Sequence, residues 1–273
     1  MEKPITNKLE ELIDNKVISM HVPGHKNMTI GNLNQLKINM DMTEITGLDD
    51  MHQPEDIILE SMTHFKKHDD YDAFLLINGT TSGILSVIQA FSEEKGRYLI
   101  SRNVHKSVFY GLDLAKAQAT FTAMHQSNLT CQYVEPILED VIEDYKLGIC
   151  TYPNYYGETF NIGNFINKLH DNGIPVLVDE AHGAHFDLEG FPTSSMNYGA
   201  DYVVQSYHKT LPALTMGSVL FIHKDAPLRS QVIEYLSYFQ TSSPSYLVMS
   251  SLEYAQEFYN EFKSELFFEK RKH

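Results

Sequence analysis

Apolar residues alternate along the chain between a helical spacing of three to four and short continuous runs. Pro54 to His68 predicts a helix opened by proline, with Ile58, Met62 and Phe65 on one face. Ala73 to Ile77 is a short apolar run. The polar stretch Asn78 to Gly83 follows it, then a helix with Ile84, Val87, Ile88 and Phe91 on one side. Arg97 to Ile100 predicts a strand, and His105 to Ala117 a helix aligning Val108, Leu112 and Ala115. Leu147 to Thr151 predicts another strand, and Ile162 to Asp171 an amphipathic helix stopped by Asn172-Gly173. Pro175 to Val178 is a buried strand running into Asp179; Tyr202 to Gln205 and Ser218 to Ile222 are the last two strands. Strands apolar on both faces, alternating with amphipathic helices, predict an α/β fold with a mainly parallel sheet covered by helices on both faces. No repeat, low-complexity tract or linker interrupts this pattern, so it reads as one continuous domain.

The polar clusters recur at one place in that pattern. Asn78 to Gly83, Thr151 to Gly157, Asp179 to His185 and Ser206 to Lys209 each follow the carboxyl end of a predicted strand. Open α/β sheets bind ligands along that edge.

Composition narrows the classes. Lys plus Arg number 21 against 36 Asp plus Glu, and the net charge of −15 stays negative even with all 13 histidines protonated. A broad nucleic-acid-binding face is therefore not expected. No run approaches the roughly 20 apolar residues of a membrane helix. The opening MEKPITNKLEELIDNK lacks the apolar core of a signal peptide, which makes the cytoplasm the expected compartment. Cys131 and Cys150 alone supply neither a disulfide framework nor a CxxC site.

Asp179-Glu180-Ala181-His182 spells a helicase box, yet no phosphate-gripping GxxxxGK[ST] loop precedes it, and the acidic charge opposes that reading. A metal site on His182, His185 and Asp187 is a second alternative, but those spacings fit a turn as easily and no further ligand cluster accompanies them. Ser206-Tyr207-His208-Lys209-Thr210 offers other chemistry. A lysine past a buried strand is usually solvated; here Leu211 to Leu214 give it an apolar setting that would depress its pKa and free a nucleophilic amine. An acid closing one strand (Asp179) and a lysine closing a nearby one (Lys209) is the pairing that pyridoxal phosphate requires. The amine carries the cofactor and the carboxylate partners its ring nitrogen. Asn78 to Gly83 reads either as a helix cap or as an anion cradle; beside Asp179 and Lys209 the phosphate reading is preferred. His105 reads either as a helix cap or as a ring that stacks on the cofactor.

At this point the residues carry a resemblance. The stretches are HVPGHKN (His21 to Asn27), DMTEITGLDDMHQPEDII (Asp41 to Ile58), INGTTSGILSVI (Ile77 to Ile88) and SRNVHKSVFYGL (Ser101 to Leu112). They continue with TYPNYYG (Thr151 to Gly157), VLVDEAHGAHF (Val176 to Phe186), DYVVQSYHKTLPALT (Asp201 to Thr215) and QTSSPSYLVMSSLEYA (Gln240 to Ala255). In this order they resemble the pyridoxal-phosphate-dependent ornithine/lysine/arginine decarboxylases of bacteria, in their shorter group. The resemblance implies a fold-type-I large domain with a seven-stranded sheet. It implies decarboxylation of lysine, arginine or ornithine to the amine and carbon dioxide.

Residue by residue, Lys209 matches the cofactor-carrying lysine, Asp179 the partner of the ring nitrogen and His105 the stacking histidine. Thr81 and Ser82, with Ser206 and His208, match the phosphate group, and Ala181 the small residue against the other ring face. Lys209 or His208 would return the proton after carbon dioxide leaves. His25, Asp49, Thr151 and His182 are implied as site neighbours. Asn154 stands where the family pattern has threonine, a change expected to alter polarity on the substrate side. The resemblance divides the chain into an N-terminal segment near the active site (1–50), the cofactor-binding large domain (51–258) and an atypical tail (259–273). The family's C-terminal small domain is expected to be missing, so that Phe258, Phe262, Phe267 and Phe268 would form an exposed apolar patch. A homo-oligomer, dimer or larger, is implied, with neither nucleic acid nor membrane as a partner. Two alternatives stay open: a catalytically impaired remnant that binds cofactor or a partner chain, and another fold-type-I enzyme such as an aminotransferase or lyase.

Overall fold

A computed structural model describes residues 2–16, 18–138 and 144–272. The strands are β1 (Tyr71–Leu76), β2 (Arg97–Ile100), β3 (Ala119–Phe121), β4 (Ala123–Gln126), β5 (Tyr133–Ile137), β6 (Tyr145–Thr151), β7 (Val176–Asp179), β8 (Tyr202–Gln205) and β9 (Ser218–His223). The helices are α1 (Pro4–Asp14), α2 (Ile57–His64), α3 (Thr80–Ala90), α4 (Lys106–Leu114), α5 (Ile162–His170), α6 (Tyr207–Thr210), α7 (Arg229–Phe239), α8 (Tyr246–Asn260) and α9 (Ser264–Arg271). A seven-stranded sheet runs β1-β9-β8-β7-β6-β2-β3. From β8 to β3 every pairing is parallel, while β9 lies antiparallel between β1 and β8.

Strand geometry explains why these runs are apolar throughout. Successive side chains point to opposite faces, and both faces are buried. Val176 and Val178 of β7, with Val219 and Phe221 of β9, enter a core closed by Ile58, Phe165 and Leu252 from α2, α5 and α8. The intervening Leu177, Leu220 and Ile222 enter a second core with Ile84, Val108 and Val232 from α3, α4 and α7. Each fully buried aliphatic side chain of this kind contributes about 1.5–3 kcal/mol.

Several expected elements take different bounds. The helix expected from Pro54 begins at Ile57, because residues 54–56 wind around Asp49 instead. The buried Asp49 carboxylate accepts backbone N–H groups from Asp50 (2.9 Å), Glu55 (3.1 Å), Asp56 (3.0 Å) and Ile58 (3.0 Å). Strand β3 and the β4–β5 hairpin were not anticipated; they are short and half exposed, so no clear apolar pattern marks them. The expected apolar patch is also corrected. Phe191 lies 5.3 Å from Phe268, 5.5 Å from Phe267 and 6.0 Å from Phe262, ring centre to ring centre. Phe258 packs on the first core, and of the four only Phe267 stays exposed, at 42%.

The four N–H groups held by Asp49 lower its pKa despite the opposing cost of burial. A carboxylate with a depressed folded pKa contributes stability above its unfolded value near ~4 and loses it as pH falls through the folded value. Asp49→Ala is expected to lower unfolding free energy by about 1–3 kcal/mol at pH 7, the cost of stranding buried donors. The gap to the wild type should narrow as the pH is taken from 7 to about 3, below the unfolded carboxylate value. Chemical denaturation at both pH values checks this, and an equal gap at both would show that Asp49 does not act as a carboxylate.

Candidate active site

Because β9 runs antiparallel to both β1 and β8, the carboxyl ends of β1, β8, β7, β6 and β2 share one edge of the sheet. Asp179 ends β7 with Thr151 of β6 opposite it in register. Lys209 sits on the single turn α6 that follows β8, and its N–H donates to the carbonyl of Ser206 (3.1 Å). The turn brings the Lys209 Nζ to 3.2 Å from His182 Nε2.

The charges on this edge are tuned by burial. Asp179 is 3% exposed; one of its oxygens accepts the Ala181 N–H at 3.2 Å. Burial raises its pKa, against the Lys209 charge, the Ala181 N–H and His105, which favour the carboxylate. The same desolvation lowers Lys209, and Asp179 pulls it back. Desolvation, then Lys209, pushes His182 down to about 4, so it is a neutral base beside the amine at pH 7. Tyr155, on the loop after β6, meets the His182 ring edge-on at 5.4 Å.

His105 takes the cap position and also lies near the charged cluster. It is the N-cap of α4, its Nδ1 accepting the Ser107 N–H at 3.3 Å. It also faces the cluster closely enough for Asp179 to oppose the burial that lowers its pKa. His208 is spoken for on one side, its Nδ1–H donating to the Gly217 carbonyl at 3.0 Å. Its own carbonyl accepts the Gly24 N–H at 2.6 Å. A Cβ on Gly24 would collide with the Leu211 carbonyl, so only glycine lets the His21–Asn27 segment lie against α6. His25 belongs to that segment, where its Nδ1 accepts the Met28 N–H at 3.0 Å. Beside Lys209 a cleft of about 370 Å³ opens between Gly24, Ile30, His185, Phe191 and Phe262.

At the start of α3 the hydroxyls take different partners. Ser82 is turned inward, its Oγ–H donating to the Gly79 carbonyl at 2.8 Å. Thr80, which sequence reasoning passed over, instead receives the Ser206 hydroxyl at 3.4 Å across the edge. Its signal was its place in the same NGTTSG cluster. Thr81 lies half-buried beside it. The N-cap is Gly79 at φ +76°, no side chain caps the helix, and a Cβ there would meet only open space. Uncapped N–H groups at a helix start with a hydroxyl pair alongside form an anion cradle. With an amine, a buried acid and an imidazole on the same edge, these residues fit pyridoxal phosphate.

Thr151 donates weakly to the Asn103 carbonyl at 3.4 Å. Asn154 is buried and spent on its own turn: Oδ1 accepts the N–H groups of Tyr156 and Glu158, both at 3.0 Å, and Nδ2 donates to Glu158. It therefore shapes the loop that carries Tyr155. The Asp49 carboxylate is spent on N–H groups of residues 50–58, while its backbone N–H donates to the Tyr246 hydroxyl at 2.8 Å and its carbonyl accepts from that hydroxyl.

Residues 3–269 match the family model described as Orn/Lys/Arg decarboxylase, major domain. The chain is 40% identical over 271 residues to the uncharacterized protein YaaO of Bacillus subtilis strain 168, covering 94% of this chain and 56% of that one. It is 31% identical over 257 residues to an arginine decarboxylase of Halalkalibacterium halodurans, covering 88% and 52%. The chain thus spans about half the length of these relatives. Among solved structures, lysine decarboxylase A from Pseudomonas aeruginosa shares the fold with a TM-score of 0.67 at 18% identity, over 80% of this chain and 33% of that one. The fold is the type I fold of pyridoxal-phosphate enzymes. By its matched residues and its architecture, the chain belongs to the Orn/Lys/Arg decarboxylase family, as the major domain of that family.

Proposed function

We propose that this chain is the cofactor-bearing part of a pyridoxal-phosphate-dependent decarboxylase of a basic amino acid, with arginine the first substrate to test. The observation that carries the reading is Lys209 beside neutral His182, one strand from buried Asp179 and across from the uncapped start of α3. Relatives named arginine decarboxylase, 31% identical, support the choice of arginine.

When bound, pyridoxal phosphate supplies an electron sink for the pair left by departing carbon dioxide. The chain's own residues do the rest. The α3 start, Thr80 and Ser206 would hold the phosphate, Asp179 would hold a proton at the ring nitrogen, and His105 and Ala181 would lie against the ring. Lys209 offers an amine that burial has made easier to deprotonate. His182, within hydrogen-bond reach of Nζ, takes and returns a proton there. That role falls to His182 ahead of His208, whose Nδ1 is committed to Gly217.

Two experiments test the cofactor site. Pyridoxal phosphate followed by borohydride and peptide mapping should label Lys209, and Lys209→Ala should abolish the label; an adduct elsewhere, or none, overturns the assignment. Carbon dioxide release from arginine, lysine and ornithine then separates turnover from binding alone. Gly79→Ala should weaken pyridoxal phosphate by about tenfold or more and leave phosphate-free pyridoxal nearly unchanged, since the added Cβ fills the cradle. It should also cost about 1–2 kcal/mol of stability from the positive φ. Equal loss for both ligands would place the phosphate elsewhere.

We also propose that the protein self-associates. Helix α1 has no buried residue and exposes Ile5, Leu9, Leu12 and Ile13 by 50–78%. A second copy of the chain would cover this amphipathic face. Sedimentation at micromolar concentration should show a dimer or larger species that Leu9→Glu weakens, and a clean monomer overturns the proposal.

A further inference from the structure

Behind the residues assigned to the reaction, on the same strand ends, lies a second polar array. Glu180 directly follows Asp179 and is fully buried. It accepts from Ser194 Oγ (2.8 Å), from the Ser195 N–H (2.8 Å) and Oγ (2.6 Å), and from Gln205 Nε2 (2.6 Å). Burial raises the Glu180 pKa, and these four donors work against that rise by favouring the carboxylate. A buried carboxylate of this kind needs a cation.

Lys67, in the loop after α2, supplies one. Its stem is partly exposed, but its ammonium is enclosed: Nζ donates to the Ala184 carbonyl (2.7 Å) and to Gln205 Oε1 (3.0 Å), and lies 4.0 Å from the centre of the Tyr259 ring. The Gln205 amide is thus oriented from both ends, oxygen to the ammonium and nitrogen to the carboxylate. Asp187 also faces Lys67, and is itself bonded to His68 Nε2 (3.0 Å) and the Ser194 N–H (2.9 Å). His185 faces it from the other side, kept neutral by burial and by the Lys67 charge. Burial pushes the Lys67 ammonium down to about 7, while Glu180 and Asp187 oppose that fall.

Gln205 immediately precedes Ser206, and β7 and β8 are adjacent parallel strands. The Lys67–Gln205–Glu180 bridge therefore ties together the two strand ends that carry Asp179 on one side and Ser206 and Lys209 on the other. We propose that Lys67 is a positioning residue of the cofactor site, neutralising Glu180 through Gln205 so that Asp179 and Ser206 are held in register and Asp179 alone sets the charge presented to the cofactor. This rests on the reading of Asp179, Ser206 and Lys209 given above.

The test is the pH midpoint of the visible absorbance band of the full chain loaded with pyridoxal phosphate. Lys67→Met leaves the Glu180 charge uncompensated and should move the midpoint up by about one unit, as an added nearby charge does. Glu180→Gln leaves the ammonium opposed by Asp187 alone and should move it down. The double variant should return to within roughly 0.3 unit of the unsubstituted chain. A purely structural role gives no such pair of opposite shifts cancelling in the double variant. If Lys67→Met does not fold, Gln205→Met keeps both charges, breaks the bridge, and should weaken pyridoxal phosphate by about tenfold, the loss expected from one severed charge-assisted bond. A normal band whose midpoint and affinity are unchanged in all variants overturns the role of Lys67 alone. Opposite shifts that fail to cancel also overturn it. Absence of any band from the unsubstituted chain overturns the cofactor reading and this proposal with it.

Discussion

The parallel pairing of β7 with β8 is the constraint on which the candidate site depends. Asp179 pairs with Val204 in register, and both strands are buried on both faces along their whole length. A one-residue slip would reverse every inward and outward side chain of a strand. It would carry Val176 and Val178 into the wrong core, and it would turn Asp179 away from Lys209. The two apolar cores thus fix the register, and the register fixes the distance between an acid and an amine that share no secondary-structure element.

Holding charge at that edge is costly, and the structure offsets the cost locally. Asp179 is opposed by Lys209 and His105, Glu180 is given four donors and the ammonium bridge through Gln205, and Asp187 is paired with His68. Desolvation works in opposite directions on acids and bases. It raises Asp179 and lowers Lys209 and His182, which narrows the gap between a carboxylate and the bases around it. Proton transfer between such groups near neutrality needs a small gap. The burial that stabilises the sheet is therefore the same burial that tunes the edge.

Much of this was legible in the sequence because it is written in local signals. Buried parallel strands need continuous apolar runs, so the strand ends, and the polar residues after them, could be placed from the chain alone. Asp179, Lys209 and the cradle after β1 follow from that. What the sequence did not show was set by long-range contacts or by competition between neighbours. The antiparallel insertion of β9 looks like any other apolar run. Three consecutive hydroxyls, Thr80, Thr81 and Ser82, are equivalent on paper; the helix start alone turns Ser82 back onto Gly79 and leaves Thr80 facing Ser206. His182 and His208 are both near the lysine in pattern, but only the folded chain commits His208 to Gly217 and brings His182 to Nζ.

The N-terminal segment shows how a motif can be located without its reason being visible. In the sequence, HVPGHKN is placed near the active site by resemblance alone. In the fold its Gly24 N–H closes on the His208 carbonyl, one residue from Lys209, in a contact with no room for a side chain. Residues near the start of the chain thereby form one wall of the cleft beside Lys209, and Phe191 and Phe262 form the other. Phe262 reaches that wall through the ring cluster around Phe191, which is why an aromatic tail that looks unpartnered in sequence is largely packed in the structure. The cleft is apolar because both its walls were recruited by packing. Lys209 enters it from the turn after β8.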